Sequence, residues 1–157
     1  MAHRLRRGLT ATAAALSLGC GLSIAGPAGF AHAAASDCDG GRNGFTDISD
    51  SLTGRVVPGY PFEIGGSHFS LEYGTVGGVQ RGWAHLAASG ISFPQDEVWM
   101  DWTRDGGASW IQCGPFTLGS KSSKTTAAQH TSNDHNWRFR ACGKVYPSGY
   151  SYCGPWW

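Results

Sequence analysis

The one place in this sequence where a carboxylate stands directly beside an imidazole is Asp134-His135, with His130 five residues earlier. An imidazole that titrates near neutral pH can move protons when a second group holds it in place. His130, His135 and Asp134 are therefore the candidate catalytic set of a small hydrolase acting on an extracellular polymer. Neighbours in sequence rarely orient one another, however, and the surrounding stretch is polar, so a solvated loop is the plainer reading. Glu63, Glu72, Asp96, Glu97 and Asp101 could include a glycosidase pair, but that chemistry depends on a carboxylate separation that only folding sets. The chain has no G-x-S-x-G elbow, no H-E-x-x-H helix and no glycine-rich phosphate loop. No cofactor is expected, and no C-x2-C pair offers a metal site.

Aromatic residues are the other surplus. All seven tryptophans lie beyond residue 80, and in a small β domain most should pack in the core. Trp99 is the exception. If Val98, Met100 and Trp102 face inward, Trp99 points out between Glu97 and Asp101. Trp156 and Trp157, at the carboxy-terminal end, are hard to bury completely. Exposed aromatics beside carboxylates suit sugar stacking or a protein hot spot. Trp99, Asp101, Trp156 and Trp157 are thus candidate binding residues. Arg138 and Arg140 join them as groups that could meet an acidic partner, although pairing with Glu97 or Asp101 across strands would occupy them instead.

The stretch DWTRDGGASW (101–110) places Asp105-Gly106-Gly107 between two apolar runs, which signals a hairpin. Glycine supplies the positive φ of the turn. Asp105 can accept hydrogen bonds from turn amides, Thr103 offers a second local acceptor, and Trp110 is expected to pack beneath the loop. A calcium loop needs an acidic twelfth ligand, and Gln112 stands there. Thr103-x-Asp105-x-Gly107-x-Ser109-Trp110 resembles the Asp-box of sialidases and other secreted β-proteins. Sialidase propellers carry several copies in a much longer chain, whereas one occurs here. The resemblance implies a structural hairpin in an exported protein, not sialidase activity.

The elements that must position these residues read as strands. In 67–73, Phe69, Leu71 and Tyr73 alternate with His68, Ser70 and Glu72, the pattern of a half-buried strand. Residues 79–88 fit a strand better than a short helix, because Gly78 and Gly82 weaken a helix. Alternation returns in 96–102 and 109–113. It appears again in 137–142, where Trp137, Phe139 and Ala141 face inward, and 150–153 closes the sheet. Residues 36–66 read as an irregular arm and 119–135 as a loop or exposed edge. Six or so short strands in this length predict an all-β fold, a small antiparallel sandwich or barrel.

Residues 1–35 read as a signal peptide, with Arg4, Arg6 and Arg7, an apolar run, and cleavage after Ala33 or Ala35. A lipoprotein box at Cys20 and a twin-arginine signal at Arg6-Arg7 are the other export readings. Residues 36–157 then form a single secreted domain. Nine Lys+Arg against eleven Asp+Glu give it a formal charge of −2. That balance gives no reason to bind nucleic acid or an anionic membrane, and no later run is long enough for a membrane span. Cys38, Cys113, Cys142 and Cys153 suit two disulfides in an oxidising compartment. Cys142–Cys153 would close a short loop around Pro147-Ser148-Gly149, leaving Cys38–Cys113, and Cys113–Cys142 is the main alternative.

More widely, Val98-Trp99-Met100-Asp101 through Trp110, followed by Arg140-Ala141-Cys142-Gly143, resembles small secreted actinobacterial proteins that carry a single such hairpin. The resemblance implies export and fold but no particular activity. The expectation is a secreted, disulfide-stabilised, monomeric domain that binds an extracellular protein or a cell-wall glycan, with the hydrolase as the alternative.

Overall fold

The computed structural model describes residues 34–157. The expected leader, with Cys20 and its arginines, lies outside the described residues apart from Ala34 and Ala35. Ten strands among the described residues form two antiparallel sheets. One sheet holds β1 (Arg55–Val56), β2 (Phe62–Ile64), β3 (Ser67–Val76), β4 (Val79–Ala87), β7 (Ser123–Thr125) and β8 (Gln129–His130). The other runs in the order β10 (Ser151–Cys153), β9 (Arg138–Lys144), β5 (Glu97–Thr103) and β6 (Ile111–Thr117).

The core lies between them. Phe69 and Leu71 of β3 and Ala84 and Leu86 of β4 meet Val98, Met100 and Trp102 of β5 and Phe139 and Ala141 of β9. The alternation in 96–102 and 137–142 therefore sorts the two faces as expected, although Trp137 is only half-buried at the rim. The sheets approach closely at Gly143, where an added Cβ would fall 2.2 Å from the Phe69 ring. Gly143→Ala should lower the unfolding free energy by about 1–3 kcal/mol through overpacking. A urea midpoint equal to wild type would show that the sheets can separate without cost.

Both expected disulfides are present, Cys38–Cys113 and Cys142–Cys153. The first ties the amino-terminal segment to β6. The second joins directly opposed residues of β9 and β10. No helix among the described residues is long and apolar enough to cross a membrane.

Two expectations about the first sheet change, and a third resolves to one of its alternatives. The 36–66 arm is not wholly irregular, since β1 and β2 both pair with β3. The 119–135 stretch contributes two short edge strands, β7 and β8, against β4. The face of β3 assigned to solvent is exposed only at His68, while Ser70 and Glu72 are buried. The arm crosses that face: the Gly54 N–H donates to Glu72 Oε2 at 2.7 Å. Asp50 anchors the crossing by accepting from Lys121 and Lys124 and from the Thr125 N–H.

Candidate functional site

The tight turn after β5 is built by its own side chains. Thr103 Oγ1 donates to Asp105 Oδ1 at 2.6 Å and accepts from the Asp105 and Gly107 N–H groups. Ser109 donates to Asp105 through its backbone N–H and its hydroxyl. Those Ser109 bonds, helped by Thr103, hold the Asp105 carboxyl far below the usual carboxylate range. Gly106 and Gly107 take positive φ angles of 75° and 104°, as the turn requires. Trp110 does not pack beneath the loop as expected, being 46% exposed. The indole under the turn belongs to Trp156, whose Nε1 lies 3.6 Å from a Cβ built on Gly107.

Trp156 reaches that position because residues 154–157 extend β10 alongside β9. Gly154 N–H donates to Ala141 O, and Phe139 and Trp157 exchange N–H···O bonds at 2.9 Å each. Trp156 therefore falls on the outer face over Arg140, with its ring 4.4 Å from the guanidinium carbon. Trp110 covers the same guanidinium at 5.1 Å. Arg140 Nε and Nη2 each lie 2.8 Å from Asp101 Oδ2. Of the two pairings open to Arg140, the cross-strand partner Asp101 is the one found, and Glu97 pairs with Lys144 instead.

This arrangement corrects the picture of Asp101 as a displayed carboxylate. It lies on the outward side of β5, as alternation requires, but the Arg140–tryptophan cluster leaves it only 2% exposed. Burial pushes its carboxyl above the ordinary value despite the opposing pull of Arg140. Its Oδ1 has no hydrogen-bond partner among the described residues. Trp99, expected to stand out, is half-buried opposite Cys142. Asp101, Cys142 and Cys153 are close enough to suggest a metal set, but the two sulfurs are bonded to each other and offer no thiolate.

The remaining candidates except His130 converge on one cleft of about 410 Å³ beside this cluster, lined by Asp134, His135, Arg138, Trp156, Trp157 and their neighbours in 131–139. Trp157 stacks on Tyr73 at 5.3 Å and is 39% exposed. Arg138 Nε donates to the His135 carbonyl at 2.8 Å. Asp134 Oδ1 accepts from the Asn136 N–H at 2.9 Å. His130 lies apart from these: its Nδ1 donates to Gln129 Oε1 at 2.8 Å and its ring packs on Trp137.

The chain matches no family model, no curated protein and no solved structure. What the site does must be read from its own side chains. Neither His130 nor His135 hydrogen-bonds a carboxylate, so the geometry that general acid–base work needs is not assembled in this loop. A buried imidazole–carboxylate hydrogen bond does form, and it joins residues no motif connected, while on the surface His68 faces Glu63 at 3.6 Å. His85 Nδ1 donates to Glu72 Oε1 at 2.7 Å, and Ser70 Oγ donates to the same oxygen. Burial pushes the Glu72 carboxyl up, but the bonds from His85, Ser70 and Gly54 outweigh it and hold it below its ordinary value.

This pair does not have the arrangement of a catalytic triad. The Ser70 hydroxyl is bonded to the carboxylate rather than to the imidazole, and His85 Nε2 is buried without a partner among the described residues. With Glu72 4% and His85 7% exposed, the arm seals the pair from any substrate. A signal for it lay in Gly77-Gly78, a two-residue turn that makes Val76 face Val79. Counting outward from that turn places His85 opposite Ser70 and diagonal to Glu72.

A second aromatic group also went unsignalled. Tyr146, Tyr150 and Tyr152 around the β9–β10 hairpin are exposed, together with Phe93, which packs edge-on against Tyr146.

Proposed function

We propose that this protein is an exported, monomeric binding domain that holds an extracellular ligand, protein or glycan, in the cleft between the 131–138 loop and the terminal tryptophans. The observation that carries this reading is the convergence of Asp134, His135, Arg138, Trp156 and Trp157 on one concavity. Its size falls within the range of about 300–1,000 Å³ usual for ligand sites. Polar ends beside half-exposed indoles provide both orientation and contact area. The two disulfides support an oxidising compartment. Asp105 and Thr103 serve as scaffold, in keeping with the Asp-box resemblance.

The test is a binding isotherm for the purified chain against isolated cell-wall glycan and against secreted proteases. Wild type should bind one of them, and Arg138→Ala and Trp157→Ala should each weaken that binding by about tenfold or more, as loss of a hot-spot residue does. Circular dichroism should show both variants folded. Retention of full affinity by both would remove the cleft from the interaction.

A further inference from the structure

The two charged side chains of this cleft are each anchored at one atom and free at the other. Arg138 is held through Nε and Asp134 through Oδ1. The terminal nitrogens of Arg138, Oδ2 of Asp134, the Asn133 amide and the His135 ring have no partner among the described residues. Although oppositely charged and lining one concavity, Asp134 and Arg138 form no ion pair with each other. Side chains fixed at one atom with unused hydrogen-bonding ends are preorganised for a ligand.

The surroundings narrow the chemistry of that ligand. A peptide added as a strand would bind through the backbone edge alone and leave the side-chain ends of Asp134 and Arg138 unpaired. A phosphate-rich ligand needs a surplus of cations, whereas one arginine here faces one carboxylate. A purely apolar ligand would leave the polar ends unpaired and desolvated. A molecule with an apolar face and a rim of hydroxyls satisfies all of these constraints. The guanidinium donates to one hydroxyl pair, the carboxylate accepts from another, and an indole lies against the C–H face.

We propose that the cleft binds one pyranose unit of an uncharged glycan, stacked on Trp157 or Trp156 and hydrogen-bonded by Asp134 and Arg138. This rests on the binding-domain reading and specifies the ligand of that site.

The test titrates the full chain with neutral hexoses, N-acetylhexosamines and their short oligomers. It follows indole fluorescence and the indole N–H resonances of Trp156 and Trp157. The expected result is saturable shifts confined to the cleft, with affinity unchanged by added salt because the ligand carries no charge. Asp134→Asn and Arg138→Lys should each weaken binding by about tenfold, since each leaves a hydroxyl imperfectly paired. If no saccharide shifts either indole while a secreted protease is captured and lost in the cleft variants, the glycan inference is overturned and the binding reading stands. A steep salt dependence would also overturn it by assigning a charged ligand. If neither sugar nor protein binds, both readings fall together.

Discussion

Arg140→Met is expected to lower the unfolding free energy at neutral pH by about 3–5 kcal/mol, because it leaves a buried carboxylate without its counter-charge. Asp101 is 2% exposed, and both of its short contacts to a cation come from Arg140. Methionine keeps much of the stem that packs between Trp110 and Trp156, so the charge accounts for most of the effect. The pH dependence has a definite sign. A carboxyl whose folded pKa lies above its unfolded value contributes most stability below that unfolded value and loses it as pH rises through the folded one. Asp101 is already raised from 3.8 with Arg140 in place, and removing the guanidinium raises it further.

The gap between wild type and Arg140→Met should therefore narrow as the pH is lowered towards 3.8. Asp50, Glu72 and Asp105 are shifted the opposite way, so their stabilisation is present above their ordinary values and lost as pH falls through the folded ones. Wild type and variant share those groups, and their contribution cancels in the difference. Urea denaturation at the two pH values measures it. A gap equal at both would show that Asp101 is not the group left stranded. Adding Asp101→Leu to Arg140→Met should recover much of the loss, since no uncompensated charge remains.

Asp101 also marks where the sequence stopped being legible. Alternation along β5 places it correctly on the outward side with Trp99, because side-chain direction in a strand is a local property with a period of two. Depth is not local. Trp110 from beyond the turn and Trp156 from the far end of the chain bury Asp101 by clasping Arg140. The same limit explains Glu72 and Ser70: their strand is visible in the sequence, while the arm that covers them has no periodicity to announce where it lies. The cysteines were more readable, because a turn between Cys142 and Cys153 brings those two together and leaves one pairing for the others. The cleft was half legible. Its aromatic and charged residues were each identifiable, but the ladder between Trp157 and Phe139 that gathers them has no local signature.

The two disulfides differ in what they contribute, and the difference is measurable. Cys38–Cys113 spans 75 residues and Cys142–Cys153 spans 11. On the chain-entropy account, closing the longer loop stabilises by about 4–5 kcal/mol and the shorter by about 3 kcal/mol. Cys38→Ala/Cys113→Ala should therefore be the more damaging pair. Both of its sulfurs lie in the core, so the loss includes packing at β6 as well as chain entropy. It should also release the amino-terminal segment selectively. The backbone bonds between Thr46 and Ala128 should lose hydrogen-exchange protection well before those of β5 and β9. Cys142→Ala/Cys153→Ala should instead loosen β10 and the tail that presents Trp156 and Trp157, weakening ligand binding more than global stability. Equal losses in unfolding free energy for the two pairs, with the Thr46–Ala128 amides still protected, would show that the amino-terminal segment is held by its side-chain contacts and that the long-range bond adds little.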